Sequence, residues 1–263
     1  MIDVLLIGGS PRSGTGLMRR LLGSHDDVYL PPFELEFHRR RHRGEDVRYT
    51  VAELSSKIPD LELDQLDLTS HKTLFRTLIA QMARRHAVAV AGDKTPGIEL
   101  HPYWYAAALG PVRVGLVHMI RNPIDVVASH LHAEWNDEQR TLALVGEIAA
   151  TWKRSAEQAD AEIPEQYQRV VVRYEDVIAA PVDTARMLAT SLELPSDDEQ
   201  LDRMVALAGY PTIMNSSFGD TGTPISGGVR QMSSRRDYLS DEEAAEVVRQ
   251  VGPASARWGY ETR

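Results

Sequence analysis

The sequence predicts an α/β fold, with a central parallel sheet of about four to five strands flanked by helices. Short apolar runs alternate along the chain with longer segments of helical periodicity, the pattern of parallel strands joined by helical crossovers. The length of 263 residues suits one domain, which we expect to span residues 1–263. An apolar content of 43% with 25% charged residues is ordinary for a soluble globular protein.

The elements follow one another in a regular order. Apolar runs bounded by turn residues predict strands at residues 4–7, 28–30, 87–91, 112–120 and 169–173. Helical patterns begin near residue 17 and at Ser240, and they cover residues 74–86, 98–109, 141–161, 181–192 and 196–208. Residues 44–70 have weak periodicity and predict a loop with short helices. Residues 209–236 are rich in Gly, Ser, Thr and Pro and predict a long ordered loop.

Composition and charge exclude several classes of protein. The chain has no cysteine, so it has neither a disulfide framework nor a thiolate metal site. A net charge of -9 argues against a nucleic-acid partner, so an anionic ligand must be attracted by local cations. The first strand begins within four residues of Met1, and no apolar run reaches membrane length. We therefore expect no cleavable leader and no membrane span.

The glycine-rich turn between the first strand and the first helix predicts an anion site. Glycines let the backbone approach an anion closely, and the N–H groups of a first helical turn favour negative charge. Gly9 and Gly14 have the spacing of the nucleotide triphosphate loop G-x-x-x-x-G-K-[ST]. Thr15 and Gly16 stand where that loop has Lys and Ser or Thr, and a cation, Arg12, lies inside the loop instead.

Residues 11–18, PRSGTGLM, resemble the loop P-[KR]-[ST]-G-T-[ST]-x-[LMW] of sulfotransferases, which use 3′-phosphoadenylyl sulfate (PAPS) as donor. Gly16 departs from this pattern, because a hydroxyl residue is usual there. The departure removes one side-chain donor and leaves the backbone N–H. The resemblance implies a P-loop-like three-layer fold, in which the 5′-phosphate is held by the N–H groups of Ser13, Gly14, Thr15 and Gly16.

Three further segments are similar to the same family. Residues 121–129, RNPIDVVAS, match R-[DN]-P-x-[DE]-x-x-x-S, the 3′-phosphate site, in which Arg121 and Ser129 contact the phosphate. An arginine at a strand end can give a phosphate two hydrogen bonds. Lys94 lies in GDKTP, similar to G-[ED]-K-[ST]-P, whose lysine reaches the transferring sulfuryl group. Tyr174 follows the fifth strand in a segment like [RK]-Y-E-[DE]-[LV], whose tyrosine contacts the nucleotide end of the donor.

Residues 33–38, FELEFH, supply the candidate general base. Their alternation puts Glu34, Glu36 and His38 on one side if the segment is extended. The resemblance implies a glutamate in this region, and Glu34 fits that place best, with Glu36 and His38 as alternatives. Residues 39–43, RRRHR, predict a solvated loop; the alternative is a patch that receives an acidic substrate or partner.

Together these resemblances imply a PAPS-dependent sulfotransferase that acts on a hydroxyl or amine and releases adenosine 3′,5′-bisphosphate (PAP). The implied catalytic residues are Glu34, Arg12 and Lys94, and no metal is required. The implied donor-binding residues are Arg12, Ser13, Gly14, Thr15, Gly16, Arg121, Ser129 and Tyr174. We expect a cytoplasmic, bacterial protein whose acceptor is a small molecule, a peptide or a saccharide. Nothing in the sequence indicates an oligomeric state.

Two alternatives stay open on the sequence. One is an atypical P-loop nucleotide kinase, favoured by Asp176, a possible metal carboxylate after an apolar strand. The other is a non-catalytic protein that binds PAP or another nucleotide on the same fold. The cation Arg121 at the end of the fourth strand argues against a magnesium nucleotide site, which would more naturally have an acidic residue there.

Overall fold

The structure is a computed structural model that describes residues 1–133, 139–208 and 238–260. In this part of the chain, a sheet of five parallel strands forms the centre, which confirms the predicted α/β fold. The strands are β1 (Val4–Gly9), β2 (Val28–Tyr29), β3 (Val90–Lys94), β4 (Val114–Ile120) and β5 (Tyr167–Arg173). Their order across the sheet is β2-β3-β1-β4-β5.

Helices connect the strands and follow the last of them. The α-helices of the described residues are α1 (Thr15–Gly23), α2 (Phe37–His42), α3 (Val47–Lys57), α4 (His71–His86), α5 (Pro102–Leu109), α6 (Pro123–Leu131), α7 (Leu142–Glu157), α8 (Tyr174–Ala179), α9 (Pro181–Ser191), α10 (Asp198–Leu207), α11 (Asp241–Val251) and α12 (Pro253–Ala256). Short 3₁₀ turns lie at Leu63–Gln65, Ile98–Leu100 and Gln158–Asp160.

The helices cover both faces of the sheet because successive side chains of β1 point to opposite sides. Leu5 and Ile7 pack in one core cluster with α1, α9 and α10. Val4 and Leu6 pack in a second cluster with α3, α4 and α5. A third cluster joins α6, α7 and α11. The layers of helix, sheet and helix are therefore those that the alternating sequence pattern predicts.

Strand β3 begins three residues later than the predicted range 87–91, at Val90, and it ends at Lys94. The reason is the end of α4, which runs to His86 and is followed by Ala87 in a left-handed conformation with φ 51°. The chain must turn there before it can enter the sheet. Lys94 is consequently the last residue of the strand rather than a residue of the loop beyond it.

Residues 33–38 are not extended throughout. Helix α2 begins at Phe37, directly after Glu36, whose φ of 57° is left-handed. His38 is therefore helical, and it is buried with 7% of its surface exposed. The alternation that would have put it on one side with Glu34 and Glu36 is wrong for this segment.

The basic run at residues 39–43 is not a loop, because most of it belongs to α2; Arg40 is buried and paired, whereas Arg41, His42 and Arg43 are exposed to solvent. Arg40 is 1% exposed, and its Nη1 lies 3.1 Å from Glu45 and 2.6 Å from Glu53. Arg43 Nε lies 2.6 Å from Glu45. Carboxylates of the following loop and helix α3 thus take the place of solvent around Arg40.

The other predicted helices lie near observed ones. The range 98–109 begins as a 3₁₀ turn and continues as α5, and residues 44–70 contain α3 with a short 3₁₀ turn, as expected. The predicted loop at residues 209–236 lies outside the described residues. No helix in the described ranges has the length and apolarity to cross a membrane.

Candidate active site

The predicted site residues converge on one edge of the sheet. Strand β1 leads into the loop that contains Arg12, and β3 ends at Lys94. Strand β4 is followed by Arg121, and β5 by Tyr174. These four strands are neighbours, and the carboxyl ends of parallel strands face the same edge, where open α/β sheets bind their ligands.

The loop between β1 and α1 contains two left-handed residues. Arg12 has φ 72°, an unfavourable conformation for a residue with a side chain, and Gly14 has φ 94°. A Cβ atom on Gly14 would lie only 2.5 Å from Cδ2 of Tyr174. Helix α1 then begins at Thr15 without a side-chain cap, so its first turn offers N–H groups to a ligand.

Arg121 is 5% exposed at the end of β4 and is held from three sides. Its Nη1 donates to Arg12 O at 3.1 Å, and its guanidinium lies 4.3 Å from the centre of the Tyr174 ring. Trp152 Nε1 donates to the carbonyl of Arg121 at 2.8 Å. Among the described residues, Nε and Nη2 of Arg121 and Oγ of Ser13 are buried with no hydrogen-bond partner.

Those orphaned polar atoms fit a bound anion. Leaving a buried N–H group unpaired is costly, more so when it carries charge. Oxyanions that accept from Arg121 Nε and Nη2 and from the Ser13 hydroxyl would satisfy these donors. Arg12 Nε donates to Ser129 Oγ at 2.9 Å, and Ser129 is 2% exposed. The two predicted phosphate segments are therefore in direct contact, and we call Arg12, Ser13, Arg121, Ser129 and Tyr174 the Arg121 cluster.

A second group of residues surrounds Lys94, which is 9% exposed. Its Nζ donates to Glu34 Oε1 at 2.6 Å, and Arg39 Nη1 donates to Glu34 Oε2 at 3.2 Å. We call Glu34, Arg39 and Lys94 the Lys94 cluster. It brings together Glu34 and Lys94, two of the three residues for which the sequence implies a catalytic role.

The backbone beside Glu34 is fixed by the strand that carries Lys94. Asp93 Oδ1 accepts from Leu35 N at 3.1 Å, and Thr95 Oγ1 accepts from Glu36 N at 3.2 Å. The Thr95 hydroxyl in turn donates to Asp93 Oδ2 at 2.9 Å. Asp93 is fully buried, and this burial raises the pKa of its carboxyl to about 7.

The two alternative bases lie in other environments. Glu36 Oε1 accepts from Arg39 Nη1 at 2.7 Å. His38 Nδ1 is 2.9 Å from the hydroxyl of Tyr105, within the core. Burial is the main cause that lowers the pKa of His38 to about 3, so the ring is neutral at pH 7.

Sequence reasoning missed Glu99, a carboxylate that joins the two clusters. Glu99 is 1% exposed, and its Oε2 accepts from Gly9 N at 2.6 Å and from Gly97 N at 3.1 Å. Its Oε1 accepts from the hydroxyl of Ser155, on α7, at 2.7 Å. Gly9 starts the anion loop and Gly97 follows Lys94, so Glu99 holds one against the other. A single glutamate outside the matched motifs carries no sequence signal for this role.

Glu175 belongs to the matched segment around Tyr174, but the sequence gives it no role. In the structure its side chain fixes the turn after β4. Its Oε1 accepts from Asn122 N at 3.0 Å, and its Oε2 accepts from the hydroxyl of Tyr260 at 2.7 Å. The neighbouring Asp176 has a side chain that is 61% exposed and lies 4.0 Å from Arg173. An exposed carboxylate paired with arginine is a poor candidate for the metal ligand that a nucleotide kinase needs.

This chain belongs to the sulfotransferase family, whose family model matches residues 5–198. The match covers most of the described chain, including both clusters. No curated protein matches the chain.

Solved structures share the fold. The sulfotransferase domain from the curacin biosynthetic pathway has a TM-score of 0.55 at 16% identity, over 99% of both chains. A sulfotransferase from Alicyclobacillus acidocaldarius has a TM-score of 0.51 at 16% identity, over 98% of this chain and 94% of that one. A mouse sulfotransferase complexed with PAP has a TM-score of 0.50 at 12% identity, over 99% and 89%. These similarities confirm the predicted P-loop-like α/β fold.

The glycine at position 14 provides a test of the loop geometry. We expect Gly14→Ala to lower the free energy of unfolding by about 2 kcal/mol or more, because a left-handed φ and the Tyr174 ring both oppose a Cβ atom. Gly16→Ala is the matched control, since a Cβ there meets no atom within 4 Å. Denaturant unfolding measures both, and equal stability of the two variants would contradict the described loop.

Proposed function

We propose that this chain is a PAPS-dependent sulfotransferase, with one sulfotransferase domain spanning residues 1–263. It transfers a sulfuryl group from PAPS to a hydroxyl or amine of an acceptor and releases PAP, without a metal. The observation that carries the proposal is the Arg121 cluster, in which Arg121 and Ser13 have buried donors without a partner among the described residues, beside a loop that lacks the lysine of nucleotide triphosphatases.

The donor-binding roles follow the family pattern of the matched segments. The N–H groups of Ser13, Gly14, Thr15 and Gly16 hold the 5′-phosphate. Arg121 and Ser129 hold the 3′-phosphate, and Tyr174 packs beside the nucleotide end. The contact between Arg12 and Ser129 supports a binding role for Arg12, and its role in stabilising the sulfuryl oxygens follows the family pattern.

PAPS supplies a sulfuryl group activated by its bond to the 5′-phosphate. Glu34 accepts the proton that the acceptor hydroxyl or amine loses as it attacks sulfur. Lys94 and Arg12 stabilise negative charge on the sulfuryl oxygens and on the bridging oxygen, which keeps the electron pair of the broken bond. The chain thus contributes orientation and preorganised charge, as in phosphoryl transfer.

Glu34 is the proposed base, rather than Glu36 or His38, because of its contact with Lys94. The family pattern places the lysine at the transferring sulfuryl group, and Glu34 Oε1 is 2.6 Å from Lys94 Nζ. Glu36 shares Arg39 with Glu34 but has no contact with Lys94 among the described residues, and His38 is bonded in the core to Tyr105.

Replacement of the base separates catalysis from binding. We expect Glu34→Gln to lower turnover of PAPS on the order of 10²- to 10⁴-fold, because the amide cannot accept the proton. Calorimetric titration should find PAP affinity largely unchanged, with Glu36→Gln as the control variant. Normal turnover in Glu34→Gln would move the base to Glu36 or His38. Binding of PAP by the intact protein without any turnover of PAPS would favour a non-catalytic binding protein.

Arg121 provides a test of the 3′-phosphate site. We expect Arg121→Ala to weaken PAP binding roughly 10- to 100-fold, since it removes charge-assisted hydrogen bonds to a phosphate. Binding of adenosine 5′-phosphosulfate, which lacks the 3′-phosphate, should change far less. Equal losses for the two ligands would exclude Arg121 from the 3′ site.

A further inference from the structure

Arg39 lies between the segment of the proposed base and the segment that follows Lys94. Its Nη1 donates to Glu34 Oε2 at 3.2 Å and to Glu36 Oε1 at 2.7 Å. Its Nη2 donates to the carbonyl of Pro96 at 3.0 Å. One guanidinium therefore joins two carboxylates to the backbone of a neighbouring segment, an arrangement that suits the planar, multiply donating group of arginine.

The contacts of Glu34 show what Arg39 adds. Lys94 holds Oε1, and Arg39 holds Oε2, so both oxygens of the carboxylate are engaged. A glutamate side chain has several rotatable bonds. A contact with a single cation leaves much of their rotational freedom. A second donor, itself fixed to the Pro96 carbonyl, sets the direction in which the carboxylate faces.

We propose that Arg39 is the positioning residue of the proposed base. It holds Glu34 against Lys94, and its Nη1 also binds the second carboxylate, Glu36. The inference rests on the proposed function, in which Glu34 accepts the proton of the acceptor. Arg43, on the same side of the segment, has a different main partner: its Nε lies 2.6 Å from Glu45, while its Nη2 is 3.7 Å from Glu36.

The contact itself is tested without any substrate. Thermal unfolding is measured for the intact protein, Arg39→Gln, Glu34→Gln and the double variant. We expect the Tm of the double variant to fall by less than the sum of the decreases in the two single variants, because the effects of residues in contact are coupled. Additive losses would overturn the proposal, since they would mean that Arg39 does not hold Glu34.

The catalytic consequence is tested with PAPS as the probe and water as the acceptor, by following the release of sulfate. We expect Arg39→Gln to lower the rate at saturating PAPS on the order of 10- to 100-fold, because small misplacement of a catalytic group is costly. The Kd of PAP should stay within about twofold. Arg39→Lys should recover part of the rate, since lysine keeps the positive charge but lacks the planar guanidinium that can bind two partners at once.

Arg43→Gln is the matched control, and its rate and PAP affinity should both stay close to those of the intact protein. Equal rates for Arg39→Gln and Arg43→Gln would overturn the positioning role. A loss of PAP affinity in Arg39→Gln that matches its loss of rate would also overturn it, because Arg39 would then be a donor-binding residue. If the intact protein neither binds PAP nor releases sulfate, the proposed function fails, and coupled unfolding would then show a structural ion pair only.

Discussion

The guanidinium of Arg121 lies buried at the end of β4, and two of its nitrogens, Nε and Nη2, have no hydrogen-bond partner among the described residues. A buried cation with unpaired donors is stable only if its surroundings hold it firmly. The ring of Tyr174 packs against the guanidinium, and the carbonyl of Arg12 accepts from it, while the indole of Trp152 donates to the backbone carbonyl of Arg121. The glycine at position 14 is required by the same arrangement, because a side chain there would displace Tyr174.

A second constraint fixes the position of the Lys94 cluster relative to the anion loop. The buried carboxylate of Glu99 accepts from Gly9, where the loop starts, and from Gly97, just after Lys94. Both segments are thereby tied to the same oxygen, Oε2, and Ser155 of α7 donates to the other oxygen, Oε1. The proposed transfer needs the donor loop, the lysine and the base to be fixed relative to one another, and this hydrogen-bond network provides the connection.

The sequence predicts the parts of the site that follow strands. Strand ends are recognisable from apolar runs, and parallel strands bring their carboxyl ends together, so the convergence of Arg12, Lys94, Arg121 and Tyr174 could be anticipated. The contacts around them could not. Burial of His38 depends on the start of α2 at Phe37, after a left-handed residue that no local pattern marks.

Long-range contacts set the other limits of prediction. Glu99 acquires its partners only when β1 and α7 pack beside it. The run at residues 39–43 has the composition of a solvated segment, and the burial of Arg40 within it depends on carboxylates such as Glu53 in the next helix. Charge patterns in a sequence do not show which opposite charges tertiary packing will bring into contact.

Calorimetric titration of the protein with PAP, beside ATP with magnesium, tests the central claim most directly. The Arg121 cluster predicts binding of PAP with a Kd in the micromolar range without added metal, and no heat from magnesium-ATP. Tight binding of magnesium-ATP without a response to PAP would contradict the account, because the loop would then serve a nucleotide triphosphate and Arg121 would not bind a 3′-phosphate.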